Sequence, residues 1–463
     1  MKRKYFLLSV FFLIFCVHPS YSQDVRSNHS YRNLGFTQVP TVSVGGFIDV
    51  NLGLAKQEDD YFKETLNNVV SYNDSGLSIA NNIKNRATDD LDFAGEASVI
   101  FTVNGINDYG FKYGAVMELN ANSTYNSWDK DLNATRSFIY GEGLFGRFEA
   151  GNELGVSQKM KIDASTFARG AGGINGKYLN YINLPSIATG SSVNSPLFIL
   201  IPELPTAHGG FGVGYNNLLY ICDYNGNNKI DPDELACFNN NANENYRFNF
   251  RELQNATKFS YYTAEIYGFQ FGASYTPDTG NKGVSGQLSS KLDTGDIDEV
   301  IEVGATFNNS FYGINIAISA TGQVGKSESK KLDASGNYTS FREDLKAYQF
   351  GGSIGYYGLT IGGSLGNWSN SLYNKEYDVD KGDGKYTTLG LAYEFAGFNT
   401  SLTYFTSEFQ DNEYTAYSIG ADYKIAKGFL PYIEYTNFEF KVKDGIVKNN
   451  KGSVILAGII INF

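Results

Sequence analysis

The chain has 463 residues and a formal net charge of −12, which argues against a nucleic-acid-binding protein because such proteins present basic surfaces. Glycine (51), tyrosine (34) and phenylalanine (34) are abundant, whereas proline (9) and tryptophan (2) are scarce. Beyond its first residues, the chain has no apolar run long enough to form a membrane-spanning helix. This composition favours β-structure over a helical membrane protein.

The N-terminus predicts a signal peptide over residues 1–22. Lys2, Arg3 and Lys4 form a basic region, residues 5–17 are apolar, and small residues precede a cleavage site after Ser22. A membrane-spanning helix needs about 17–25 apolar residues, so the apolar run is too short for an anchor. Cleavage removes three basic residues, leaving residues 23–463 with a net charge of about −15.

Alternation with a period of two recurs along the mature chain and predicts β-strands. In residues 348–356 (YQFGGSIGY) and 388–395 (TLGLAYEF), aliphatic or aromatic residues alternate with small or polar ones. A soluble β-sandwich would also alternate. The abundance of tiny residues and carboxylates on the polar face, and connections that alternate between short and long, favour an outer-membrane barrel with a water-filled lumen.

The alternation predicts an all-β fold, a 16-stranded antiparallel transmembrane β-barrel with short periplasmic turns and long outer loops. An even number of strands can close into a barrel, which leaves no unpaired backbone edge in the lipid. The predicted strands are residues 41–54, 91–103, 110–121, 134–142, 145–153, 256–264, 268–276, 297–308, 311–321, 344–356, 358–367, 384–395, 398–407, 413–424, 428–441 and 451–463.

Three short motifs carry a family resemblance. Residues 42–49 (VSVGGFID), the pair 135–141 (TRSFIYG) and 145–151 (FGRFEAG), and the terminal Phe463 resemble the trimeric general porins of Gram-negative bacteria. The resemblance implies a homotrimer in the outer membrane, in contact with lipid and lipopolysaccharide. It also implies a water-filled channel for the passive diffusion of small hydrophilic solutes and ions.

The third loop, residues 154–255, is far longer than ordinary connections. In the family that the chain resembles, this loop folds into the barrel and narrows it. Residues 201–204 (IPEL) resemble the tip of the constriction loop, which implies that Glu203 is an acidic constriction residue. The resemblance likewise implies that Arg136 faces the pore. Ile199 stands where the family often has a second acid, so the family's charge pattern is only partly present.

Alternation also predicts which charged side chains face the lumen, although each of them could simply be solvated there. The excess of acids over bases in the mature chain predicts a modest preference for cations. The predicted lumen acids are Asp49, Glu96, Glu118, Glu149 and Glu302, and the predicted lumen bases are Lys112, Arg136, Arg147 and Lys258.

Residues 222–237 (CDYNGNNKIDPDELAC) predict a structural Ca²⁺ site within the third loop. Residues 223–234 place oxygen ligands at the spacing of an EF-hand loop, with few charges, so binding should be weak. Turn-forming Asn, Asp and Gly could equally make an ordinary surface loop. The predicted ligands are Asp223, Asn225, Asn227, Lys229 through its carbonyl, Asp231 and Glu234. Cys222 and Cys237 are predicted to form a disulfide because the protein is exported.

Other functions remain open from the sequence alone. A substrate-specific channel, or a surface-structure or adhesin barrel plugged by the long loop, would share the same strand pattern. An enzyme is not expected, since the mature chain contains only His29 and His208 and no Ser-His-acid arrangement stands out.

Overall fold

A computed structural model shows a closed barrel of sixteen antiparallel strands. It describes residues 39–58, 70–73, 76–79, 91–120, 134–182, 187–189, 192–194, 198–208, 256–279, 297–327, 330–332, 338–340, 343–371, 383–409, 411–442 and 449–463. The barrel strands are β1 Thr41–Gln57, β2 Leu91–Ile106, β3 Lys112–Asn120, β4 Ala134–Gly143, β5 Gly146–Asn152, β6 Thr257–Tyr262, β7 Phe269–Asp278, β8 Ile297–Phe311, β9 Ile314–Ser327, β10 Leu345–Tyr356, β11 Leu359–Ser369, β12 Gly384–Phe395, β13 Phe398–Phe409, β14 Asn412–Tyr423, β15 Phe429–Lys441 and β16 Asn450–Asn462.

The predicted fold class is confirmed, and each predicted strand has a counterpart in the barrel. The largest difference is at the outer end of β9, which continues to Ser327 because Gln323 and Gly325 still pair with β10. The barrel closes where β1 pairs with β16. Beside this seam, Gly46 and Phe463 exchange two backbone hydrogen bonds of 3.1 Å each.

The period of two separates a lipid face from an interior face. Apolar side chains such as Phe350, Leu402 and Ile419 point outward and are about half exposed. Their neighbours Ser401 and Ser418 point inward and are buried. Because successive strand residues alternate sides, one apolar row along each strand is enough to cover the barrel with a surface that lipid can solvate.

Two-residue turns join several strand pairs at the end of the barrel where the chain begins and ends. In Tyr312-Gly313, Tyr357-Gly358 and Ala396-Gly397, both residues have positive φ, between 47° and 84°. This conformation belongs to type I′ turns, whose twist matches that of the flanking strands, and glycine adopts it without strain. The short turns of the predicted topology therefore have a direct basis in the sequence.

The smaller elements of the described chain lie in the connections. Three two-stranded hairpins pair Val70–Asn73 with Gly76–Ile79, Ile187–Thr189 with Ser192–Asn194, and Lys330–Leu332 with Tyr338–Ser340. The helical elements are α1 Val156–Lys159 and the 3-10 turns Ala164–Phe167, Gly173–Asn175, Lys177–Asn180 and Pro205–His208. No helix among the described residues has both the length and the apolar character needed to cross a membrane.

Candidate functional site: the barrel interior

The first part of the third loop runs around the inside of the barrel wall. We call residues 155–182 the first pass and residues 198–206 the return pass. A Cβ on Gly351 of β10 would lie 1.7 Å from the carbonyl oxygen of Ile162, and one on Gly420 of β14 would lie 1.9 Å from that of Arg169. Wall glycines thus provide the space in which the loop backbone lies.

The first pass is attached to the wall strand by strand through its backbone N–H groups. Each of these donors would otherwise be buried without an acceptor, which is costly. The N–H groups and their wall acceptors are Val156 with Ser274 of β7, Ser157 with Glu302 of β8, Ile162 with Ser319 of β9, Ala164 with Thr388 of β12, Arg169 with Ser401 of β13, Gly170 with Asp422 of β14, and both Ala171 and Gly173 with Glu434 of β15.

The first pass ends at the seam of the barrel. Lys177 pairs with Asp49 of β1, and its Nζ lies 3.1 Å from a carboxylate oxygen of Glu96 on β2. The hydroxyl of Tyr432 donates to Asp49 at 3.0 Å, and the hydroxyl of Tyr181 donates to Asn51 Oδ1 at 2.6 Å. The described part of the loop therefore crosses the inner surface from β7 to the β1–β2 pair and leaves much of the inner side of β3–β5 uncovered.

An apolar core lies between the two passes and the wall. Tyr178 of the first pass and Ile199 of the return pass are fully buried, as are Phe405 of β13 and Leu456 of β16. The third loop was expected to fold into the barrel and narrow it, and on this side its described residues fill the space beside the wall. The inward faces of the last strands are apolar toward the outer loops because they pack against the third loop rather than facing water.

The uncovered side carries a continuous chain of ion pairs, which we call the charge ladder. Seven contacts between 2.5 and 3.4 Å connect its eight residues, which lie on β3, β4 and β5, just after β5 and on α1. In order of contact, the residues are Lys112, Glu142, Arg147, Glu149, Lys159, Glu153, Arg136 and Glu118.

Part of the charge ladder is exposed enough to meet solutes, whereas Glu149 and Glu153 are buried. The side chains of Arg136, Arg147 and Glu142 are each about one third exposed. The guanidinium of Arg147 also lies 4.1 Å from the ring centroid of Tyr140, which holds it against the wall. Bases and carboxylates alternate in equal number, so the ladder offers hydrogen bonds and local dipoles of both signs but no net charge.

The predicted lumen residues divide into two groups. Lys112, Glu118, Arg136, Arg147 and Glu149 come together in the charge ladder. Asp49 and Glu96 lie on the inner wall and pair with Lys177, whereas Glu302, Lys258 and Glu203 are buried under or within the loop. Alternation identified the inner face, but it could not indicate which part of that face the loop covers.

Glu203 is held within the loop rather than on an open surface. Its carboxylate accepts from Lys161 Nζ at 3.2 Å and from the Gln158 side chain, and its backbone carbonyl accepts from Trp368 Nε1 at 2.9 Å. Burial disfavours the charged form of Lys161, but the neighbouring Asp163 and Glu203 carboxylates more than compensate and raise its pKa above the ordinary value.

Some interior residues were not predicted from the sequence. Glu142 of β4 has the same inward parity as Arg136, so alternation could have identified it. Glu153, Lys159, Lys161 and Lys177 lie beyond the end of β5, where no strand period applies. Their contacts depend on the path of the loop.

The predicted calcium loop, residues 223–234, and the predicted Cys222–Cys237 disulfide lie outside the described residues. The same holds for the signal peptide and its cleavage site after Ser22. Within the described ranges, no group of three or more His, Cys, Asp and Glu side chains could hold a metal ion.

One family model matches most of the chain. The family described as Gram-negative porin matches residues 23–443. An uncharacterized protein of Rickettsia bellii (strain RML369-C) is 28% identical over 369 residues, covering 71% of this chain and 76% of that protein. Uncharacterized protein RP068 of Rickettsia prowazekii (strain Madrid E) is 25% identical over 363 residues, covering 67% and 81%.

Solved structures with a similar fold include an anion-selective porin from Comamonas acidovorans. It is 14% identical, with a TM-score of 0.49, and the match covers 92% of this chain and 100% of that one. A mutant of the Rh. blastica porin is also 14% identical, with a TM-score of 0.48 and coverage of 91% and 100%.

Proposed function

The chain belongs to the Gram-negative porin family and forms an outer-membrane porin channel, and we propose that small hydrophilic solutes and ions diffuse through it with a modest preference for cations. The observation that carries the proposal is the path of the described part of the third loop, which leaves one side of the interior largely uncovered. We place the permeation pathway between the first pass and the charge ladder on β3–β5.

The chemistry of this side supports passage of polar solutes. Alternating carboxylates and bases can exchange hydrogen bonds with a solute without binding any single class tightly, as a diffusion channel requires. Because the ladder is neutral, we attribute the cation preference to other interior carboxylates. Asp422 forms no ion pair with a described Lys or Arg, and its carboxylate adds negative potential to the interior.

Planar-bilayer recordings test the proposal. We expect ohmic single-channel steps. In a KCl gradient, the reversal potential should have the sign that indicates a preference for cations. Reversal of the opposite sign would refute the cation preference, while the channel function would stand.

A second candidate is a barrel closed by its own loop, and the long contact between the first pass and the inner wall favours it. Such a barrel would give no conductance steps. Small steps that a particular solute blocks would instead indicate a substrate-specific channel.

We also propose that Ca²⁺ stiffens the third loop through residues 223–234, clamped by a disulfide between Cys222 and Cys237. In this proposal Ca²⁺ protects the loop from proteolysis, and Glu234→Ala abolishes that protection because it removes the predicted bidentate ligand. Asp233→Ala is the matched control, since residue 233 is not a ligand position. Equal protection of the Glu234→Ala variant would refute the site.

We further propose that the protein is a homotrimer in contact with lipopolysaccharide, as is typical of general porins. The half-exposed apolar residues that cover the outer wall provide a surface for lipid and for neighbouring subunits. Chemical cross-linking of the protein in native outer membranes should give a three-subunit band. A band that remains at the size of one subunit would refute the trimer.

A further inference from the structure

A cavity of about 480 Å³ lies on the inner wall of β8–β11, at the end of the barrel with the short turns. We call it the wall cavity. None of the residues that line it belongs to the charge ladder. Its volume is within the range of about 300–1,000 Å³ that is typical of small-molecule sites. The wall cavity is therefore large enough for a small solute.

Strand register places the inward-facing residues of the wall cavity in two rows. The row nearer the short turns consists, in the order in which the residues face each other, of Ser310, Asn315, Gly355 and Thr360. The next row consists, in the same order, of Asn308, Ala317 and Ser353. A Cβ on Gly355 would lie 3.3 Å from Thr360 Oγ1, so this hydroxyl borders the space above the glycine. Small residues thus leave room between residues that can form hydrogen bonds.

The first pass of the third loop covers the wall directly beyond the second row. Ser319 and Gly351 are the next inward residues on β9 and β10, and they face each other. Ser319 Oγ accepts from the N–H of Ile162 at 2.9 Å, and the Ile162 carbonyl oxygen occupies the space above Gly351. The wall cavity therefore lies between the first pass and the short turns, where a solute that has passed the loop meets it next.

The lining of the wall cavity is polar but carries no charge. Its amide and hydroxyl groups belong to Asn308, Asn309, Ser310, Asn315, Ser353 and Thr360. The described residues that line it include no Asp, Glu, Lys, Arg or His. Amides and hydroxyls can both donate and accept hydrogen bonds, as each hydroxyl of a sugar also can. A charged solute would find no counter-charge among these residues.

The polar groups of the lining are accessible to a solute. Asn308 is exposed, and Ser353 and Thr360 are partly exposed. Within the described part of the chain, no hydrogen bond uses the side chains of these three residues. The Ser310 hydroxyl donates to Asn315 Oδ1, which holds the Asn315 amide in place. A solute that binds here therefore replaces water and breaks few protein contacts.

We propose that the wall cavity is a subsite for an uncharged solute rich in hydroxyl groups, such as a monosaccharide or a polyol. This inference deepens the proposed function and rests on it, because it names a class of solute that diffuses through the channel. Binding should be weak, because the lining groups are open to water and the described lining offers no aromatic ring for a sugar to stack on. Weak binding also lets the solute leave, as conduction requires.

Saturation-transfer NMR of the full-length mature protein tests the subsite, with glucose as the probe. The protein is solubilised in a detergent without a sugar headgroup, so that the detergent does not compete. We expect transfer to glucose and weaker transfer to gluconate and glucosamine, which are similar in size but carry a negative and a positive charge. Absence of transfer to glucose, or stronger transfer to either charged analogue, would overturn the proposal.

Two variants test whether glucose binds in the wall cavity. Asn308→Leu and, separately, Thr360→Val remove hydrogen-bonding groups from opposite sides of the cavity and keep side chains of similar size. Each variant should lower the affinity for glucose about five-fold, the usual effect of losing one neutral hydrogen bond.

Thr102→Val is the matched control, because Thr102 of β2 has the same inward parity as Ser98 and lies outside the wall cavity. This variant should bind glucose as the wild type does. Unchanged affinity in both Asn308→Leu and Thr360→Val, or an equal loss in Thr102→Val, would overturn the proposal.

Binding in detergent and conductance in a bilayer are independent measurements. Glucose binding without conductance steps would refute the diffusion channel and leave the subsite in place. Ohmic steps without glucose binding would refute the subsite and leave the channel in place.

Discussion

Lys159 is the residue through which the third loop joins the charge ladder. Its ammonium contacts Glu149 and, at 3.4 Å, Glu153, and it stands at the end of α1. Both carboxylates retain another partner, Arg147 and Arg136 respectively. Removing the Lys159 ammonium therefore leaves the other contacts of the ladder in place. Lys159 is for this reason a suitable probe of pore electrostatics.

We predict that Lys159→Met increases the preference for cations. The variant leaves the ladder with one negative charge in excess, which at about 8 Å in water is worth roughly 0.5 kcal/mol in favour of a cation and against an anion, or about a five-fold change in the cation-to-anion permeability ratio. The reversal potential in a KCl gradient measures this ratio.

Lys385→Met is the control for the electrostatic prediction. It removes the same charge from the outward side of β12, where Lys385 pairs with Glu408 and is largely exposed. An equal shift in both variants would mean that surface charge, rather than the ladder, sets the selectivity.

Glu434 anchors the loop at two successive donors. Its Oε2 accepts from the N–H groups of Ala171 and Gly173 at 3.0 and 2.9 Å. Glu434→Ala leaves both donors buried without an acceptor, which costs about 1–3 kcal/mol for each. We predict faster cleavage of the intact protein by trypsin after Arg169 and Lys177, which flank this anchor.

Ile433→Ala is the control for the anchor, since Ile433 is the next residue on β15 and faces the lipid. Trypsin should cleave the Ile433→Ala variant at the wild-type rate. Resistance of Glu434→Ala equal to that of the wild type would show that the remaining wall contacts hold the loop without this anchor.

For single residues, alternation predicts on which side of the sheet a side chain lies but not which partner it binds. It predicted that Arg136, Arg147 and Glu149 point inward, because strand parity fixes the side of the sheet. Alternation could not predict that Glu149 binds both Arg147 and Lys159, because Lys159 lies outside any strand.

At the scale of an element, the glycines of the turns differ in the space that surrounds them. Gly358 has φ of +83°, and a Cβ there would lie 2.4 Å from the carbonyl oxygen of Glu394. Gly110 has φ of +80°, but a Cβ there would meet nothing within 4 Å. The two glycines share a backbone conformation and differ in the space around them.

We predict that Gly358→Ala destabilises the barrel more than Gly110→Ala. The left-handed conformation alone costs alanine roughly 1–2 kcal/mol, and only Gly358→Ala adds a clash with backbone. The temperature at which the folded band is lost in a gel-shift assay measures both effects. Equal losses would show that the turn relaxes without cost.

At the same scale, the strands were predicted well because each carries a local signal, a period of two ended by a glycine-containing turn. The loop elements were not predicted, because α1 and the 3-10 turns are each four residues or fewer. Such short elements exist only through their contacts with the wall, since an isolated helical turn is unstable in water.

At the scale of the whole molecule, packing between the described part of the third loop and the wall covers part of the inner surface of the barrel. Phe405 is fully buried in this core, with its ring 5.7 Å from that of Tyr414 and 6.0 Å from that of Tyr386. Removing a buried phenylalanine side chain typically costs about 3–5 kcal/mol. Here the cost falls on the core that the third loop and the wall share.

We predict that Phe405→Ala loosens the return pass and gives single-channel currents that fluctuate more, with a larger mean conductance. Ile419→Ala is the control, because Ile419 is an apolar residue of the neighbouring strand that faces the lipid and is 53% exposed. A Phe405→Ala channel with the conductance and noise of the wild type would contradict a role of this core in setting the opening.

The sequence by itself determined the barrel, its strand number and the inward parity of the charged residues, because these follow from local alternation and from backbone hydrogen bonding in lipid. Only the tertiary structure decided which part of the inner surface the described residues of the third loop cover. The third loop has no period of its own, and its path depends on acceptors such as Glu434 and on the space above Gly351 and Gly420, which lie far away in the sequence. The burial of Glu203 and Lys258 follows from that path, because no local pattern encodes what a long loop covers.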